Sequence, residues 1–130
     1  MTKVLIVEDQ ADIRKLVRMT LAAIGCDLVE AADGEAGLHL VSAADPDIVL
    51  LDVMMPGSID GLQLCERIKS DPRTRHKAVV LLTARAQQSD IQAGKTAGAD
   101  EYLTKPFSPI KLIELVESLA RASSASARVS

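Results

Sequence analysis

The sequence predicts an α/β fold in which a parallel β-sheet is covered by helices. Short apolar runs typical of buried strands alternate with amphipathic segments typical of helices, in units of roughly 25 residues. Such a repeat forms right-handed crossovers and therefore a parallel sheet. The run from Ile48 to Leu51 lacks apolar–polar alternation, which indicates a strand buried on both faces. It ends in Asp52, and an ionised carboxylate at that point is costly to bury, so we expect Asp52 to have a function.

Five strands and five helices are predicted in alternation along the chain. The predicted strands are Val4–Val7, Asp27–Ala31, Ile48–Val53, Ala78–Thr83 and Glu101–Leu103. The first helix carries an apolar stripe between Ile13 and Ile24 and ends at Gly25. The second helix begins after Asp33, a typical N-cap residue. The last helix begins with Ser108 as N-cap and Pro109 as its first residue.

The third and fourth helices lie on either side of the fourth strand. Ser58 or Asp60 is the predicted N-cap of the third helix. The fourth helix, from about Gln87 to Ala97, contains Gly94 and has Ile91 as its only large apolar residue. Glycine lowers helix stability and a single apolar residue buries little surface, so we predict that this helix has low local stability.

Composition and length indicate one domain. The chain has 130 residues, 48% of them apolar, which is sufficient for a core without disulfides or structural metal. We assign residues 1–122 to this domain and residues 123–130 to a polar, flexible tail that frays. The apolar runs are all shorter than the roughly 20 residues of a membrane span, so no membrane interaction is predicted.

Charge and residue usage exclude several other classes. The formal net charge of −3 and the presence of only two aromatic residues, Tyr102 and Phe107, argue against direct binding to nucleic acid. The N-terminus runs directly into a predicted strand, unlike a signal peptide. Cys26 and Cys65 are not at metal-ligand spacing and suit reduced thiols, so we expect a cytoplasmic protein.

Polar side chains follow four of the predicted strands. Glu8 and Asp9 follow the first strand, Asp52 ends the third, Thr83 ends the fourth, and Lys105 follows the fifth. In a parallel sheet these strand ends share one edge, where ligands bind. Clustered carboxylates repel one another unless a cation lies among them, and oxygen ligands favour Mg²⁺ or a similar hard ion such as Mn²⁺. With a lysine and a hydroxyl nearby, this arrangement predicts a phosphoryl pocket with Asp52 as nucleophile.

Over about residues 3–120 the chain resembles the receiver domain of bacterial two-component response regulators. The resemblance rests on five segments that occur in order at the family's spacing. They are Val7-Glu8-Asp9, Leu51-Asp52-Val53-Met54-Met55-Pro56, Asp60-Gly61, Leu81-Leu82-Thr83-Ala84, and the run from Gly98 to Phe107 that contains Lys105-Pro106. Each segment is weak evidence by itself, and the five together are highly specific.

The resemblance implies a flavodoxin-like, doubly wound sheet of five parallel strands in the order 2-1-3-4-5, with helices on both faces. It implies that Asp52 accepts a phosphoryl group from the phosphohistidine of a sensor histidine kinase or a histidine phosphotransfer protein. Mg²⁺ (or Mn²⁺) would be bound by Asp9, Asp52 and the backbone carbonyl of Met54, with Glu8 acting through water.

The same resemblance implies a conformational switch. Lys105 would pair with the phosphoryl oxygens, Thr83 would move to bond one of them, and Tyr102 would swing inward. The surface formed by the fourth helix, fifth strand and fifth helix would then change for an output partner that is not identified. The bond from Lys105 to Pro106 is expected to be cis, and phosphorylation-dependent dimerisation is compatible with the resemblance.

The loop from Met55 to Gly61 is one residue longer than the commonest form in the family. Because it lies next to the predicted site, the extra residue could alter kinase docking or the rate of dephosphorylation. The basic residues Arg67, Lys69, Arg73, Arg75 and Lys77 are interpreted as a solvated surface, because Asp71 interrupts them and no aromatic residue accompanies them.

Two other functions are alternatives to a signalling switch that turns over no external substrate. A Mg²⁺-dependent phosphatase resembling the haloacid-dehalogenase group needs a carboxylate two residues after the nucleophile, where this chain has Met54. A degenerate receiver used only as an interaction scaffold is disfavoured, because all of the site residues are present. An excised receiver, cut from a longer regulator or hybrid kinase and acting as a scaffold, stays open as an alternative.

Overall fold

The structure is a computed structural model that describes the backbone of residues 2–84 and 88–129 and the side chains of residues 2–84 and 92–122. In the described part of the chain, strands and helices alternate. The strands are β1 (Lys3–Val7), β2 (Asp27–Ala31), β3 (Ile48–Asp52), β4 (Ala78–Thr83) and β5 (Glu101–Thr104). The helices are α1 (Ala11–Ala22), α2 (Gly34–Ala43), α3 (Gly61–Ser70), α4 (Gln88–Ala97) and α5 (Pro109–Val129).

The strands form a parallel sheet in the order β2-β1-β3-β4-β5, which confirms the predicted fold class and strand order. Val7, at the end of β1, is in register with Ala31 of β2 and Leu51 of β3. Thr83, at the end of β4, is in register with Thr104 of β5. The C-terminal ends of these strands therefore open on one edge of the sheet, as the alternating pattern predicts.

Helices cover both faces of the sheet and make two apolar layers. On one face, side chains such as Leu5, Val49 and Leu81 pack with residues of α2, α3 and α4. On the other face, side chains such as Ile6 and Leu50 pack with residues of α1 and α5. Both faces of β1, β3 and β4 are buried, which explains why these strands read as continuous apolar runs.

Side-chain caps fix the starts of three helices. Asp33 accepts a hydrogen bond from the Ala36 N–H at 2.8 Å, and Ser108 accepts one from the Lys111 N–H at 3.1 Å, as predicted. Of the two candidates for α3, Asp60 is the N-cap, and it forms a capping box with Gln63. The start of α3 is thereby fixed directly after the loop that follows Asp52.

Several element ends differ from the sequence prediction, including the start of β1 at Lys3 and the end of β5 at Thr104. β3 ends at Asp52 rather than at Val53, and the helical backbone of α5 continues to Val129. Residues 123–129 were predicted to be a flexible tail that frays, and their backbone is helical instead. The domain boundary at residue 122 stays a prediction, and the side chain of Ile91, which was expected to anchor α4, lies outside the described residues.

The interpretation of the basic cluster as a solvated surface is wrong for two of its members. Lys77 is only 3% exposed, and its ammonium group donates to Asp45 Oδ1 at 2.5 Å and to the Pro46 carbonyl at 2.8 Å. Lys69 donates to Asp100 Oδ2 at 2.7 Å. Both ammonium groups bind loop residues near the N-terminal end of β4, away from the predicted site. They are structural cations, and the spacing of charges along the chain does not reveal such long-range pairing.

Candidate functional site

Three carboxylates meet at the C-terminal edge of the sheet. Glu8 and Asp9 directly follow β1, Asp52 ends β3, and these two strands are neighbours. One oxygen atom from each of the three side chains lies within 4.8 Å of the others. Glu8 is fully buried, Asp52 is 5% exposed, and Asp9 is exposed. The cluster is therefore buried on one side and open to solvent on the Asp9 side.

Lys105 lies between two of these acids. Its ammonium group is paired with Glu8 Oε1 and lies 3.2 Å from Asp52 Oδ1. Its backbone N–H donates to the Thr83 carbonyl at 2.7 Å, which extends the pairing of β4 and β5 beyond Thr104. The peptide bond from Lys105 to Pro106 is cis. The lysine predicted to meet a phosphoryl group thus contacts the predicted phosphoacceptor directly in this structure.

The electrostatics of the cluster are dominated by Glu8. Burial, reinforced by the neighbouring Asp52 carboxylate and opposed by Lys105, raises the pKa of Glu8 to about 8. Burial alone would lower the pKa of Lys105, but its hydrogen bond to Glu8 and the charge of Asp52 outweigh that effect and raise it. Without a metal ion, Glu8 therefore keeps its proton to a higher pH than an exposed glutamate would, and Lys105 keeps its charge.

The donor set fits a hard divalent cation. Glu8 Oε2 is buried without a hydrogen-bond partner in the described structure, although a buried polar oxygen normally has one. Glu8, Asp9 and Asp52 offer oxygen ligands alone, which Mg²⁺ and Mn²⁺ prefer. A divalent ion would supply positive charge against the carboxylates and against the oxygens of an incoming phosphoryl group.

Met54 lies next to Asp52 in the loop between β3 and α3. Its backbone N–H donates to Asp52 Oδ1 at 3.3 Å, and its side chain is 79% exposed. This position is compatible with the predicted use of its carbonyl as a metal ligand, a role that stays a prediction.

The loop from Met55 to Gly61 is anchored on α2, a contact that the sequence did not predict. Ile59 is 7% exposed and packs into the core, and the Ser58 hydroxyl is hydrogen-bonded to the Glu35 carboxylate. A Cβ atom on Gly34, the first residue of α2, would collide with the Ile59 carbonyl. Gly34 therefore permits α2 to approach the loop, and a glycine directly after the N-cap Asp33 was the available signal for this contact.

The two predicted switch residues lie on adjacent strands. Thr83 is buried at the end of β4, next to the strand that carries Asp52. Tyr102, on β5, is partly buried and packs against the core layer beneath α3 and α4. Burial and nearby acidic groups raise the pKa of the Tyr102 hydroxyl. The conformational roles of both residues stay predictions.

Gly94 of α4 provides space for the Tyr102 ring. A Cβ atom at Gly94 would lie 2.6 Å from Tyr102 Cε1 and 2.8 Å from Leu81 Cδ1. We expect Gly94→Ala to destabilise the protein by about 1–3 kcal/mol through overpacking, although alanine is favoured over glycine in a helix by about 1 kcal/mol. Urea unfolding measures this change, with Lys95→Ala on the exposed side of α4 as control. A Gly94→Ala protein more stable than wild type would contradict this packing.

Comparison with known proteins places the chain in a family. The family model described as "Response regulator receiver domain" matches residues 4–117, which is most of the chain. The chain belongs to the response regulator receiver family. It is therefore a receiver of the kind found in two-component systems, where receivers act as signalling switches.

Two curated relatives illustrate the similarity of this receiver to transcriptional regulators. It is 40% identical over 119 residues to the phosphate regulon transcriptional regulatory protein PhoB of Escherichia coli, covering 92% of this chain and 52% of PhoB. It is 39% identical over 121 residues to the DNA-binding dual master transcriptional regulator RpaA of Synechocystis, covering 93% of this chain and 50% of RpaA. The receiver spans about half the length of these relatives.

Solved structures show the same architecture. A putative response regulator from Chloroflexus aurantiacus superposes with a TM-score of 0.86 at 36% identity, covering 91% of this receiver and 96% of that chain. The chemotaxis response regulator CheY4 of Vibrio cholerae superposes with a TM-score of 0.86 at 31% identity, covering 92% and 98%. In the part of the receiver that the structure describes, no helix is both long enough and apolar enough to cross a membrane.

Proposed function

We propose that this receiver is phosphorylated on Asp52 by the phosphohistidine of a sensor histidine kinase or a histidine phosphotransfer protein, with Mg²⁺ bound by the acidic cluster. The observation that carries the proposal is the position of the Asp52 carboxylate, which lies 3.2 Å from the Lys105 ammonium and has an oxygen within 4.8 Å of oxygens of Glu8 and Asp9. An attacking carboxylate with a cation beside it, at a ligand-binding strand end, is suited to phosphoryl transfer.

The residues divide the reaction between them. An Asp52 carboxylate oxygen attacks phosphorus, a new O–P bond forms, and the N–P bond to the donor imidazole breaks. Asp9, Asp52 and the Met54 carbonyl would hold the metal ion, with Glu8 acting through water, and the ion would supply positive charge against the phosphoryl oxygens. Lys105 donates to the phosphoryl oxygens, and it is within reach because its ammonium group already lies 3.2 Å from Asp52 Oδ1. The Thr83 hydroxyl then bonds another phosphoryl oxygen.

The output is a change in the surface formed by α4, β5 and α5. A cavity of about 650 Å³ runs along β5 and α5, lined by residues that include Tyr102, Phe107 and Leu115. Ile110, on the first turn of α5, is 68% exposed. Inward movement of Tyr102 would reshape this surface for a partner protein or a second copy of the receiver. With a net charge of −3, the receiver itself makes no direct contact with nucleic acid.

The receiver acts as a switch and turns over no external substrate. Met54 occupies the position where an aspartyl-phosphate phosphatase needs a second carboxylate, and a thioether cannot exchange protons. A degenerate scaffold is disfavoured because Asp52, Lys105 and the acidic pair converge. Cys26 and Cys65 are free thiols, which supports a cytoplasmic location as part of the same proposal.

Incubation with acetyl phosphate and Mg²⁺ tests the proposal. We expect the intact mass of the wild-type protein to increase by a single phosphoryl group. EDTA should abolish this adduct, and Asp52→Asn should not form it, because an amide is a poor nucleophile and a weaker metal ligand. Wild-type protein that gains no mass beside a verified receiver would contradict phosphorylation, unless hydrolysis is fast. Beryllofluoride, which mimics the phosphoryl group without being hydrolysed, separates these two cases. If it does not change the fluorescence of Tyr102, the receiver does not switch, and the scaffold function is favoured.

A further inference from the structure

The backbone of Glu8 is held from two directions just beyond the end of β1. Its N–H donates to the Ala31 carbonyl, at the end of β2, at 3.0 Å. Its carbonyl accepts a hydrogen bond from Arg14 Nη1 of α1 at 2.7 Å. That carbonyl belongs to the peptide unit that joins Glu8 to Asp9. A donor fixed on this oxygen therefore sets the orientation of the peptide unit and, through it, the directions in which the two acidic side chains leave the backbone.

Arg14 is itself held in place by Glu30 of β2. The Arg14 Nε atom lies 3.5 Å from Glu30 Oε1, and the Arg14 side chain is 21% exposed. Arg18, one turn further along α1, pairs with the other oxygen of Glu30 at 2.7 Å and is 52% exposed. The two arginines share one carboxylate partner, but among the described hydrogen bonds it is Arg14 that also reaches Glu8. A planar guanidinium group can make both contacts at once, because its N–H donors are fixed in a fork.

We propose that Arg14 is a positioning residue of the cation site: by anchoring the Glu8–Asp9 peptide unit, it holds the two acidic side chains in the arrangement that binds the metal ion. This inference rests on the proposed function. Arg14 touches neither the phosphoryl group nor the metal ion in this proposal. It acts through the Glu8 carbonyl, and Glu30 acts through Arg14.

The sign of the effect separates positioning from simple electrostatics. Arg14 is a cation close to a cation site, so its charge repels a divalent ion. If charge were its main influence, replacing Arg14 with a neutral residue would tighten metal binding. If Arg14 positions the acidic pair, the same replacement weakens metal binding. Loss of a hydrogen bond that supports a metal ligand typically reduces metal affinity about tenfold or more.

Calorimetric titration with Mn²⁺ measures this effect in the absence of a phosphodonor. We expect Arg14→Met to raise the Kd for Mn²⁺ about tenfold. Arg18→Met is the matched control, because it removes an equal charge and the same Glu30 partner, and its Kd should stay within about twofold of wild type. Arg14→Lys keeps the charge without the fork and should give an intermediate Kd. Circular dichroism before each titration establishes that the variant is folded.

Three results would overturn the inference. An Arg14→Met protein with a Kd equal to or lower than that of Arg18→Met would show that Arg14 does not position the acids. If Arg14→Met does not fold, the comparison is made between Arg14→Lys and Arg18→Lys instead. Equal Kd values for these two variants would also show that Arg14 does not position the acids. Wild-type protein that binds no Mn²⁺ would overturn the metal step of the proposed function as well. The result for wild type thus distinguishes failure of the proposed function from failure of the positioning role.

Discussion

Lys105→Met is expected to reduce the rate of phosphorylation by acetyl phosphate about a hundredfold or more. Lys105 contributes the ammonium group that lies against both Glu8 and Asp52, and methionine has a similar length without charge or donor. Removal of one preorganised donor from a site where negative charge develops typically costs a factor of 10² to 10³ in rate. The initial rate of adduct formation, followed by intact mass at saturating Mg²⁺, measures the effect.

Metal affinity provides a second readout for the same variant. The Lys105 ammonium pairs with two of the acids that would form the cation site. Its removal should therefore leave the affinity for Mn²⁺ unchanged or increase it, while phosphorylation is lost. Lys95→Met, on the exposed surface of α4, is the control and should behave as wild type. Phosphorylation of Lys105→Met at the wild-type rate would exclude a role for this ammonium group in the transfer.

The metal-free protein should lose stability as the pH rises from about 4.5 to about 8. In the folded protein, burial raises the pKa of Glu8 from 4.5 to about 8. Below pH 4.5 Glu8 is protonated in both states, and its stabilising contribution is fully present. Between these pH values the unfolded chain releases the proton while the folded protein keeps it, so the free energy of unfolding falls. The total change should be on the order of a few kcal/mol, because each unit of pKa shift corresponds to about 1.4 kcal/mol.

Urea unfolding in EDTA at several pH values measures this dependence, and Glu8→Gln is the decisive variant. Glutamine keeps the shape of the side chain without an ionisable group, so the variant should lose the pH dependence and be more stable than wild type at pH 8. Glu66→Gln, an exposed change on α3, should retain the wild-type dependence. A Glu8→Gln protein with an unchanged pH profile would show that the dependence comes from another group.

The stabilisation of wild-type protein by Mg²⁺ should increase with pH, whereas the stability of the protein in EDTA should decrease. A divalent ion held by the acidic cluster favours the ionised form of Glu8, which acts through water, so the ion competes with the proton on Glu8. Added Mg²⁺ should therefore stabilise the protein more at pH 8 than at pH 5.5, and the stabilisation should follow the ratio of free ion to Kd. Glu8→Gln should reduce this stabilisation. Equal stabilisation of wild type at both pH values would show that Glu8 does not contribute to cation binding.

The fold class and the residues that meet at the site could both be predicted from the sequence. Apolar runs buried on both faces, such as Ile48–Leu51, predict central strands of a parallel sheet because backbone periodicity is local. A parallel sheet brings its strand ends to one edge, so the positions of Glu8, Asp9, Asp52 and Lys105 after their strands predicted a shared site. The strand order came from the family resemblance, since the alternating pattern gives parallel pairing without the order.

How these residues act on one another could not be predicted from the sequence, because it depends on contacts formed in the folded chain. The contact of Lys105 with Glu8, the partnerless oxygen of Glu8 and the bond from Arg14 all depend on distances across neighbouring elements. The burial of Lys77, which made part of the solvated-surface interpretation wrong, likewise depends on a partner 32 residues away. Burial and electrostatic interaction are properties of the packed chain, because they depend on the solvent that folding removes and on the charges that it brings together.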